Sequence, residues 1–368
     1  MSEPVVERVE SFVSPDHQLG LVRLTLSDGS FGWGQLAPYN ADITASVLHR
    51  QVAWFFLGHT LDASEDRLDV ALLANHKYPW SYVCRALAGV DLAVWDLRGK
   101  LAGKPVAELL GGRLEPIRAY ASSMRRDIAP SDEADRLVRL RNDFGFDAFK
   151  IRVGKTNGRD VDASPGRTET IIPTIRQALG DDATLMADAN GGFSPTRAIE
   201  VGRLLEDHGY AHFEEPCLFG EWEQTKEVTD ALSIDVACGE QDNDVAQFRR
   251  MLKARAMDIV QPDVCYAGGI TRLLQIGDLA DGLAIPILPH AANRSLLLVA
   301  THHLMCAVKR PGPYIEVGIE SQPHFENAYA PMPVVRDGQL HTEPGPGWGV
   351  TIRDDWLATS NRSVSEQA

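Results

Sequence analysis

Hydrophobic and polar positions near the start of the chain follow the pattern of a small unit of strands and helices. Residues 21–26 form an extended apolar run, Ser27-Asp28-Gly29 marks a turn, and residues 31–34 resume the extended pattern. Apolar side chains then recur three and four positions apart over residues 44–56 and 85–101, which predicts two helices. This part of the chain is therefore predicted to be an α+β unit.

From about Tyr120 the pattern changes to short apolar runs separated by amphipathic stretches. Eight runs have the length and composition of buried strands: Ile117–Ala121, Ala148–Ile151, Thr184–Ala187, Tyr210–Phe213, Ile234–Ala237, Met257–Val260, Ile285–Leu288 and Tyr314–Val317. Helical periodicity lies between them, for example at residues 195–207 and 271–281. This alternation predicts parallel strands with helical crossovers, and eight strands favour a (β/α) barrel over an open sheet.

The change of pattern divides the chain into three predicted segments. Residues 1–118 form the α+β domain, residues 119–320 the barrel, and residues 321–368 a Pro/Gly-rich C-terminal segment. The polar stretch 359–368 shows no apolar periodicity and is predicted to be frayed.

Composition and charge limit the kinds of molecule that the protein is expected to bind. The formal net charge is −15 and no basic run is present, which argues against nucleic acid or a membrane surface as partners. No apolar run reaches the roughly 18 residues of a membrane helix, and no secretory signal is visible, so a cytoplasmic protein is expected. Five cysteines lack zinc-type spacing and are expected to be reduced structural thiols: Cys84, Cys217, Cys238, Cys265 and Cys306.

Polar residues stand at or just beyond the ends of the predicted barrel strands. In chain order they are Lys150, Arg152, Asp188, Asn190, Glu214, Glu240, Asp263, His290 and Glu316. From Asp188 onward the steps are 26, 26, 23, 27 and 26 residues, each the length of one strand–helix unit. Such spacing places these side chains on the C-terminal rim of a barrel, where barrel enzymes hold their active sites.

Three carboxylates on neighbouring predicted strands indicate a metal site. Asp188, Glu214 and Glu240 would converge, and uncompensated anions are costly in a partly dry site. Mg²⁺ prefers oxygen ligands and keeps positions for water and substrate, so we predict that these residues bind Mg²⁺. Glu215 follows Glu214, and strand alternation is expected to turn only one of the two inward.

Asp263 and His290 fall on the next two predicted strands, close enough to hydrogen-bond. A carboxylate behind an imidazole fixes its tautomer and raises its basicity, so the pair is predicted to be a catalytic dyad. His212, two residues before Glu214, is instead predicted to be a hydrogen-bonded core histidine.

Lys150 and Arg152, two apart on one strand, face the same side and could place positive charge beside a bound carboxylate. Glu316 could hydrogen-bond an oxyanion if protonated, or orient substrate hydroxyls. Together these groups suit removal of a proton next to a metal-bound carboxyl group, with Mg²⁺ and nearby cations stabilising the enediolate.

Several segments carry a resemblance to a known family. The chain resembles the mandelate racemase-like subgroup of the enolase superfamily over nearly its whole length, and the resembling segments are Arg85–Gly112, Phe149–Val153 (FKIRV), Met186–Gly192 (MADANGG), Phe213–Pro216 (FEEP), Cys238–Gln241 (CGEQ), Val260–Thr271, Leu288–His290 (LPH) and Gly345–Val350.

The resemblance implies a modified (β/α)₇β barrel with an N-terminal α+β capping domain that the C-terminal tail completes. It also implies Mg²⁺ on Asp188, Glu214 and Glu240, with Glu214 rather than Glu215 as the ligand. The cap loops near His17 and Tyr39 are expected to help select the substrate. Asn190 is assigned to substrate binding, and a homo-oligomer is expected.

One departure from the family shapes the functional prediction. The family's second strand usually reads Lys-x-Lys, whereas this chain reads Lys150-Ile151-Arg152. Arg152 is a poor base, which weakens a two-base racemase, while dehydration needs only one group to take the proton. We therefore predict a dehydratase of an acid sugar, an aldonate or an aldarate, with His290 as base and then acid. Arg152 would clamp the carboxylate and Lys150 would assist.

Alternatives remain open at this point. An epimerase, racemase or cycloisomerase of a carboxylate sugar is the main alternative, and a non-catalytic metal-binding scaffold is another. The polar loop 154–167 is equally compatible with a lid over the site and with a simple surface loop.

Overall fold

The N-terminal part of the chain folds into an antiparallel sheet covered by helices. A computed structural model describes residues 3–78 and 81–367. The strands of this part are β1 (Val6–Val13), β2 (Gly20–Leu26) and β3 (Phe31–Gln35). Its helices are α1 (Ala41–Val47), α2 (Ser64–Ala74), α3 (Ser81–Ala102) and α4 (Val106–Leu109). Helix α1 continues through π-helical and 3₁₀ turns to Phe55, so the helix predicted at 44–56 begins three residues earlier.

Helix α3 lies unusually close to strand β3 because two glycines of the strand face it. A Cβ atom on Gly34 would stand 2.0 Å from the carbonyl oxygen of Gly89, and one on Gly32 would stand 2.1 Å from that of Ala93. Only glycine permits this approach. The close contact fixes α3 as the layer between the cap sheet and the barrel, which α3 touches through Asp91 and the Thr271 hydroxyl.

The barrel consists of short parallel strands that alternate with longer helices. Its strands are β4 (Ile117–Ser122), β5 (Ala148–Arg152), β6 (Thr184–Asp188), β7 (His212–Glu214), β8 (Asp235–Cys238), β9 (Ile259–Val260) and β10 (Ile315–Gly318). Its helices are α5 (Pro130–Phe144), α6 (Arg167–Leu179), α7 (Pro195–Asp207), α8 (Trp222–Ala231), α9 (Val245–Ala254), α10 (Val264–Ala267), α11 (Ile270–Asp281) and α12 (Leu296–Met305).

An irregular segment and β10 close the barrel. Strands β4 to β9 pair in sequence order, and β10 returns to pair in parallel with β4. Between β9 and β10, the seventh position is held by the segment around Ile287, which bridges Val260 on one side and Pro311 on the other. The predicted (β/α)₇β architecture is therefore confirmed, although its seventh strand is reduced to single bridges.

The C-terminal segment contacts both the barrel and the cap. It contains α13 (Pro323–Glu326), β11 (Tyr329–Ala330), β12 (Val334–Arg336), β13 (Gln339–His341), β14 (Thr351–Ile352), α14 (Asp354–Thr359) and β15 (Asn361–Glu366). Strand β13 pairs with the start of β4, whereas β15 pairs antiparallel with β1 and becomes an edge of the cap sheet. The tail thus completes the cap, as the resemblance implies.

The prediction that residues 359–368 are frayed is wrong for β15. Its side chains are mostly polar because an edge strand exposes them, and its order comes from backbone pairing with β1 rather than from apolar periodicity. Two partly buried polar contacts add to this pairing. Arg362 binds Glu10, and the Ser365 hydroxyl lies 2.9 Å from Nδ1 of His49.

Two buried histidines of α12 join the barrel to neighbouring segments. Nδ1 of His303 accepts the backbone N–H of Ala107 at 3.1 Å, and Nε2 of His302 lies 2.8 Å from the carbonyl oxygen of Glu115. Burial lowers the pKa of His302 from 6.5 to about 4, and burial together with His302 lowers the pKa of His303 to about 3. Both rings are therefore neutral in the folded protein at neutral pH.

These histidines are expected to make the fold sensitive to mild acid. Above pH 6.5 both histidines are neutral in the folded and in the unfolded protein. Below pH 6.5 the unfolded chain takes up protons that the folded chain does not, so the free energy of unfolding decreases as the pH is lowered. Each histidine contributes up to about 1.4 kcal/mol of lost stability per pH unit between pH 6.5 and about 4. His303→Gln keeps an acceptor for Ala107 without titrating. Urea unfolding at pH 7 and pH 5 should show a smaller loss for this variant, and an equal loss would contradict the assignment.

The structure also bears on the predictions made for the cysteines and for membrane-spanning helices. All five cysteines lie in the described part of the chain and are free thiols. Across residues 3–78 and 81–367, no helix is long and apolar enough to span a bilayer.

Candidate active site at the barrel rim

Parallel pairing brings the predicted polar residues to one end of the barrel. Arg152, Asp188 and Glu214 are in register at the ends of β5, β6 and β7, and Asp263 and His290 form a bridge beyond β9. None of the predicted metal-binding and catalytic residues is more than 8% exposed: Lys150, Arg152, Asp188, Glu214, Glu240, Asp263, His290 and Glu316. The rim is thus an enclosed polar site in which charges interact strongly.

The predicted dyad has the geometry of an oriented base. Nδ1 of His290 lies 2.7 Å from Oδ2 of Asp263, whose other oxygen accepts the backbone N–H groups of Cys265 and Tyr266 at the start of α10. The carboxylate is held by these amides, so the neutral ring of His290 carries its proton on Nδ1 and leaves Nε2 as the acceptor. Burial opposes the charged ring, but Glu240 and Asp263 raise the pKa of His290 from 6.5 to about 10. A cation bound by Glu240 would offset the pull of that carboxylate and so favour the neutral ring.

Lys150 is locked between two buried carboxylates. Its Nζ lies 2.7 Å from both oxygens of Glu214 and 2.8 Å from Oε1 of Glu316. Burial disfavours the ammonium, but these two carboxylates outweigh that cost and raise the pKa of Lys150. Lys150 is therefore a fixed cation and not a proton acceptor.

Glu316 is correspondingly an anion. Although burial raises the pKa of its carboxyl group, Lys150 and His290 lower it to about 2. Its oxygens also accept the Ser122 hydroxyl and the Ala291 N–H. Of the two roles predicted for Glu316, hydrogen bonding to an oxyanion requires the protonated acid and is therefore disfavoured, whereas orienting substrate hydroxyls does not require it.

Arg152 forms an ion pair with Asp188. Its guanidinium group is further fixed by the carbonyl oxygen of Ser123 at 2.7 Å and by Oδ1 of Asn190 at 3.0 Å. These contacts hold the planar guanidinium group in one orientation within the protein. None of these contacts tests the predicted binding of a substrate carboxylate by Arg152, which stays a prediction.

Asn190 occupies the centre of a hydrogen-bond network. Its Oδ1 accepts from both Arg126 and Arg152, and its Nδ2 donates to Asp188 at 3.1 Å and to Glu215 at 3.2 Å. Every hydrogen-bonding position of the amide is therefore used inside the protein. Binding of substrate by this side chain would require exchange of one of these contacts, and that prediction stays untested.

Both glutamates of the FEEP segment lie at the rim, contrary to the expectation that alternation turns only one inward. Glu214 and Glu215 are 1% and 5% exposed, and Glu215 has a φ of 41°, outside the strand region. The alternation rule holds only for extended backbone, so it fails at Glu215. Burial, Glu240 and Glu214 together raise the pKa of Glu215.

The donor set suits a hard divalent cation, although the carboxylates are not gathered into a cage. Within residues 3–78 and 81–367, no three His, Cys, Asp or Glu side chains are grouped as a metal-binding set. Lys150 and Arg152 each pair with one of the predicted ligands. Glu215 and Glu240, in contrast, have no Lys or Arg within 4.0 Å among the described residues, and Glu240 lies 3.5 Å from Nε2 of His290. These two buried carboxyl groups, beside Asp188 and Glu214, supply the oxygen atoms that Mg²⁺ prefers.

Two site residues were missed from the sequence. Arg126 lies after β4 and donates to Asn190 and to the carbonyl oxygen of Gly154. Burial and the neighbouring Arg152 lower its pKa to about 9, which leaves it cationic. Gln261, directly after β9, donates to Glu214 at 2.9 Å. Neither residue falls on the regular step along the chain that identified the others, so no sequence pattern indicated them.

The remaining predicted residues lie farther from the network. The Tyr39 ring packs edge-on against Phe325 with centroids 6.3 Å apart, and His17 lines a cavity of the cap with His49. Neither side chain has a hydrogen bond to the rim among the described residues, and their substrate-selecting role stays a prediction. His212 is buried as predicted, but its Nε2 is 3.7 Å from Glu214, too far for a hydrogen bond.

The loop 154–167 packs against the loop after β6. Asn157 and Asp160 donate their backbone N–H groups to the carbonyl oxygens of Asn190 and Gly192. A cavity of about 190 Å³ lies between these loops, with Asn157, Asn190, Glu215 and Gln241 in its wall. The loop therefore forms one side of a cavity beside the rim, and whether it closes over the site stays a prediction.

Comparison with known proteins identifies the family. Residues 6–111 match the mandelate racemase / muconate lactonizing enzyme N-terminal domain, and residues 132–356 match the enolase C-terminal domain-like family. The chain therefore belongs to the mandelate racemase / muconate lactonizing enzyme family of the enolase superfamily.

Similar proteins span almost the whole chain. The D-galactarolactone cycloisomerase of Agrobacterium fabrum is 32% identical, covering 92% of this chain and 89% of that protein. The arabinonate dehydratase of Saccharolobus solfataricus is 28% identical, covering 92% and 90%.

Solved structures show the same fold. A racemase candidate from Roseobacter denitrificans is 51% identical with a TM-score of 0.96, covering 99% of this chain and 100% of that one. A mandelate racemase/muconate lactonizing protein from Paracoccus denitrificans, complexed with magnesium, is 28% identical with a TM-score of 0.88, covering 99% of each chain.

Proposed function

We propose that the protein is a Mg²⁺-dependent dehydratase of an acid sugar, which converts an aldonate or aldarate into a 2-keto-3-deoxy acid. The observation that carries this proposal is that the rim offers one oriented base, His290, while both charged groups of β5 are held as cations by carboxylates. A two-base racemase needs a second proton acceptor on the opposite face of the substrate. Elimination needs one base only.

Asp188, Glu214 and Glu240 are the residues we assign to Mg²⁺, with Glu215 beside them. The Paracoccus denitrificans protein is complexed with magnesium on the same fold, and the cluster of buried carboxyl groups at this rim suits such an ion. When bound, Mg²⁺ would polarise the substrate carboxyl group and so make the neighbouring proton more acidic.

His290 performs the proton transfers. Its Nε2 takes the proton from the α-carbon, and Asp263 stabilises the imidazolium through Nδ1. The electron pair of the broken C–H bond passes into the carboxyl group and gives an enediolate. The positive charges of Lys150 and Arg152 would stabilise this anion.

The elimination then returns the proton. As the enediolate collapses, the β-carbon–oxygen bond breaks, and the imidazolium of His290 protonates the departing hydroxyl so that it leaves as water. The enol that remains ketonises to the 2-keto-3-deoxy acid. One imidazole serves both steps if the proton and the hydroxyl leave from the same face.

A cycloisomerase is the second candidate. It is favoured by the 32% identity to the D-galactarolactone cycloisomerase, and it too would use a carboxylate substrate and a single proton-transfer group. The two activities differ in their products, because a cycloisomerase does not release water from the acid.

The deciding experiment is a screen of aldonates, aldarates and their lactones with Mg²⁺ in D₂O. A dehydratase converts an open-chain acid into a 2-keto acid, which semicarbazide detects, with loss of one water. A cycloisomerase that expels the ring carboxylate of a lactone gives a keto acid of unchanged mass, with no loss of water, and an epimerase incorporates deuterium without forming a keto acid. Failure of every open-chain acid sugar to yield a keto acid would refute the dehydratase.

Mg²⁺ is expected to stabilise the folded protein in the absence of substrate. A ligand that binds only the folded state adds about 2.7 kcal/mol at a hundred times its dissociation constant, so the melting temperature of chelator-treated protein should rise by several degrees in saturating Mg²⁺. Thermal unfolding with and without Mg²⁺ measures this shift. Glu240→Gln should reduce it, whereas Glu200→Gln, on the exposed face of α7, should not. An undiminished shift in Glu240→Gln would contradict the ligand assignment.

A further inference from the structure

Arg126 is a cation at the rim that forms no ion pair with a carboxylate of the described residues. It follows β4, and its guanidinium group donates to the carbonyl oxygen of Gly154 at 3.1 Å and to Oδ1 of Asn190 at 2.9 Å. Across residues 3–78 and 81–367, no Asp or Glu oxygen lies within 4.0 Å of it. The other two cations of the rim, Lys150 and Arg152, are both neutralised by buried carboxylates.

Positive charge is concentrated around Arg126. Arg152 donates to the same Asn190 oxygen at 3.0 Å, so two guanidinium groups share one neutral acceptor. Arg167, 4% exposed, donates only to backbone carbonyl oxygens, among them that of Arg152 at 2.8 Å. Of these three guanidinium groups, only that of Arg152 forms an ion pair among the described residues, with Asp188. Carboxylates near the other two, such as Glu215 near Arg126, lie beyond 4.0 Å. Two guanidinium groups without an ion pair leave local positive charge that an anionic ligand would neutralise.

Arg126 is also within reach of a ligand held at the rim. Its Nη2 donates directly to the backbone carbonyl oxygen of Asp188 at 3.5 Å, and Asn190 links it to the Asp188 carboxylate with hydrogen bonds of 2.9 Å and 3.1 Å at the two ends of the amide. Asn190 lines the cavity of about 190 Å³ beside the rim, and Arg126 lines a cavity of about 380 Å³ between the loops 126–130 and 163–167. A chain of several carbons bound at Asp188 could extend to this guanidinium group.

We propose that Arg126 binds the second carboxylate of a sugar diacid, so that the enzyme prefers an aldarate to the aldonate of the same configuration. A guanidinium group pairs with a carboxylate through two parallel hydrogen bonds, whereas the terminal hydroxyl of an aldonate offers no charge. This inference rests on the proposed function, since it assumes that the first carboxylate is bound at the rim.

The test compares diacid and monoacid in two neighbouring variants. Arg126→Gln removes the charge, and Arg125→Gln removes the charge of the preceding residue, which is exposed and paired with Asp127. For Arg126→Gln we expect kcat/KM for the aldarate to fall at least 100-fold and that for the matched aldonate less than threefold. Arg125→Gln should change neither by more than twofold. Equal losses for both acids would show that Arg126 only positions Asn190, and no loss would show that it does not bind substrate; either overturns the proposal.

A binding measurement separates this inference from the proposed reaction. In saturating Mg²⁺, calorimetric titration should show that the wild-type protein binds glutarate at least tenfold more tightly than pentanoate, a monoacid of equal chain length. Arg126→Gln should lose this preference and Arg125→Gln should keep it. If the wild type forms no keto acid but shows the preference, the dehydratase fails and the diacid site stands. If the wild type shows no preference for glutarate, the diacid site fails whatever the activity.

A second variant is used if Arg126→Gln does not fold. Arg126→Lys keeps the positive charge and is expected to retain part of the preference for glutarate over pentanoate. If Arg126→Lys lost this preference completely and bound the monoacid equally poorly, the proposal would be overturned.

Discussion

Replacing His290 by asparagine is expected to reduce turnover at least about a thousand-fold, the upper part of the range for loss of a general acid–base group. Asparagine keeps a donor that can reach Asp263 but cannot accept the α-proton. Lys150 and Arg152 cannot take over, because both are held as cations by carboxylates. The measurement is keto-acid formation, together with exchange of the α-proton in D₂O.

The control is His76→Asn, which changes an exposed histidine of the cap and should alter kcat by less than twofold. Mg²⁺ binding, followed by the thermal shift, should survive in His290→Asn, since this residue is not among the proposed ligands. Near-normal dehydration, or continued α-proton exchange, would show that another group is the base and that the roles assigned at the rim are wrong.

Lys150→Met is expected to have the largest effect on stability. The ammonium is fully buried between Glu214 and Glu316, and removing one partner of a buried ion pair leaves an unpaired charge, at a cost of about 3–5 kcal/mol. Here two carboxylates lose their partner. Urea unfolding should show this loss, and activity should fall with it.

Lys226→Met is the matched comparison. Lys226 pairs with Asp230 across one turn of α8 in an exposed salt bridge, and such pairs contribute about 0.3–0.5 kcal/mol. If Lys150→Met destabilised the protein no more than Lys226→Met, the buried cluster would not hold the barrel together. Chelator should be present in both experiments, so that bound Mg²⁺ does not compensate for the lost cation.

The barrel was predictable because its sequence repeats one physical unit. Each strand is buried on both faces and reads as an apolar run, and the near-constant step from Asp188 to Glu316 reflects the length of one strand and one helix. The observed strands begin and end within about two residues of the predicted runs. The contact between Asp263 and His290 followed from the same regularity, since the two residues lie just beyond the sixth and seventh strand positions.

Features that depend on pairing rather than on periodicity were not predictable. Strand β15 has a polar sequence, and only its partner β1 makes it a strand. Glu215 reaches the rim because its backbone turns into the left-handed region, which no side-chain pattern reveals. Likewise, Arg126 joins the site through a loop that has no fixed spacing from the strands.

The ion pairs at the rim were also hidden from the sequence. Lys150 and Arg152 were predicted to act on the substrate, and the structure shows that each first satisfies a carboxylate of the protein. Which of two nearby charges a cation prefers depends on distances of tenths of an ångström. Such distances follow from the packing of the whole barrel.

The pairing of β15 with β1 links the two extremes of the described chain. During synthesis, β1 leaves the ribosome long before the residues that cover its edge, and the entire barrel is made in between. An excised N-terminal fragment would therefore carry an open strand edge, a surface prone to intermolecular pairing. We expect cap and barrel to fold as one cooperative unit rather than as two independent modules.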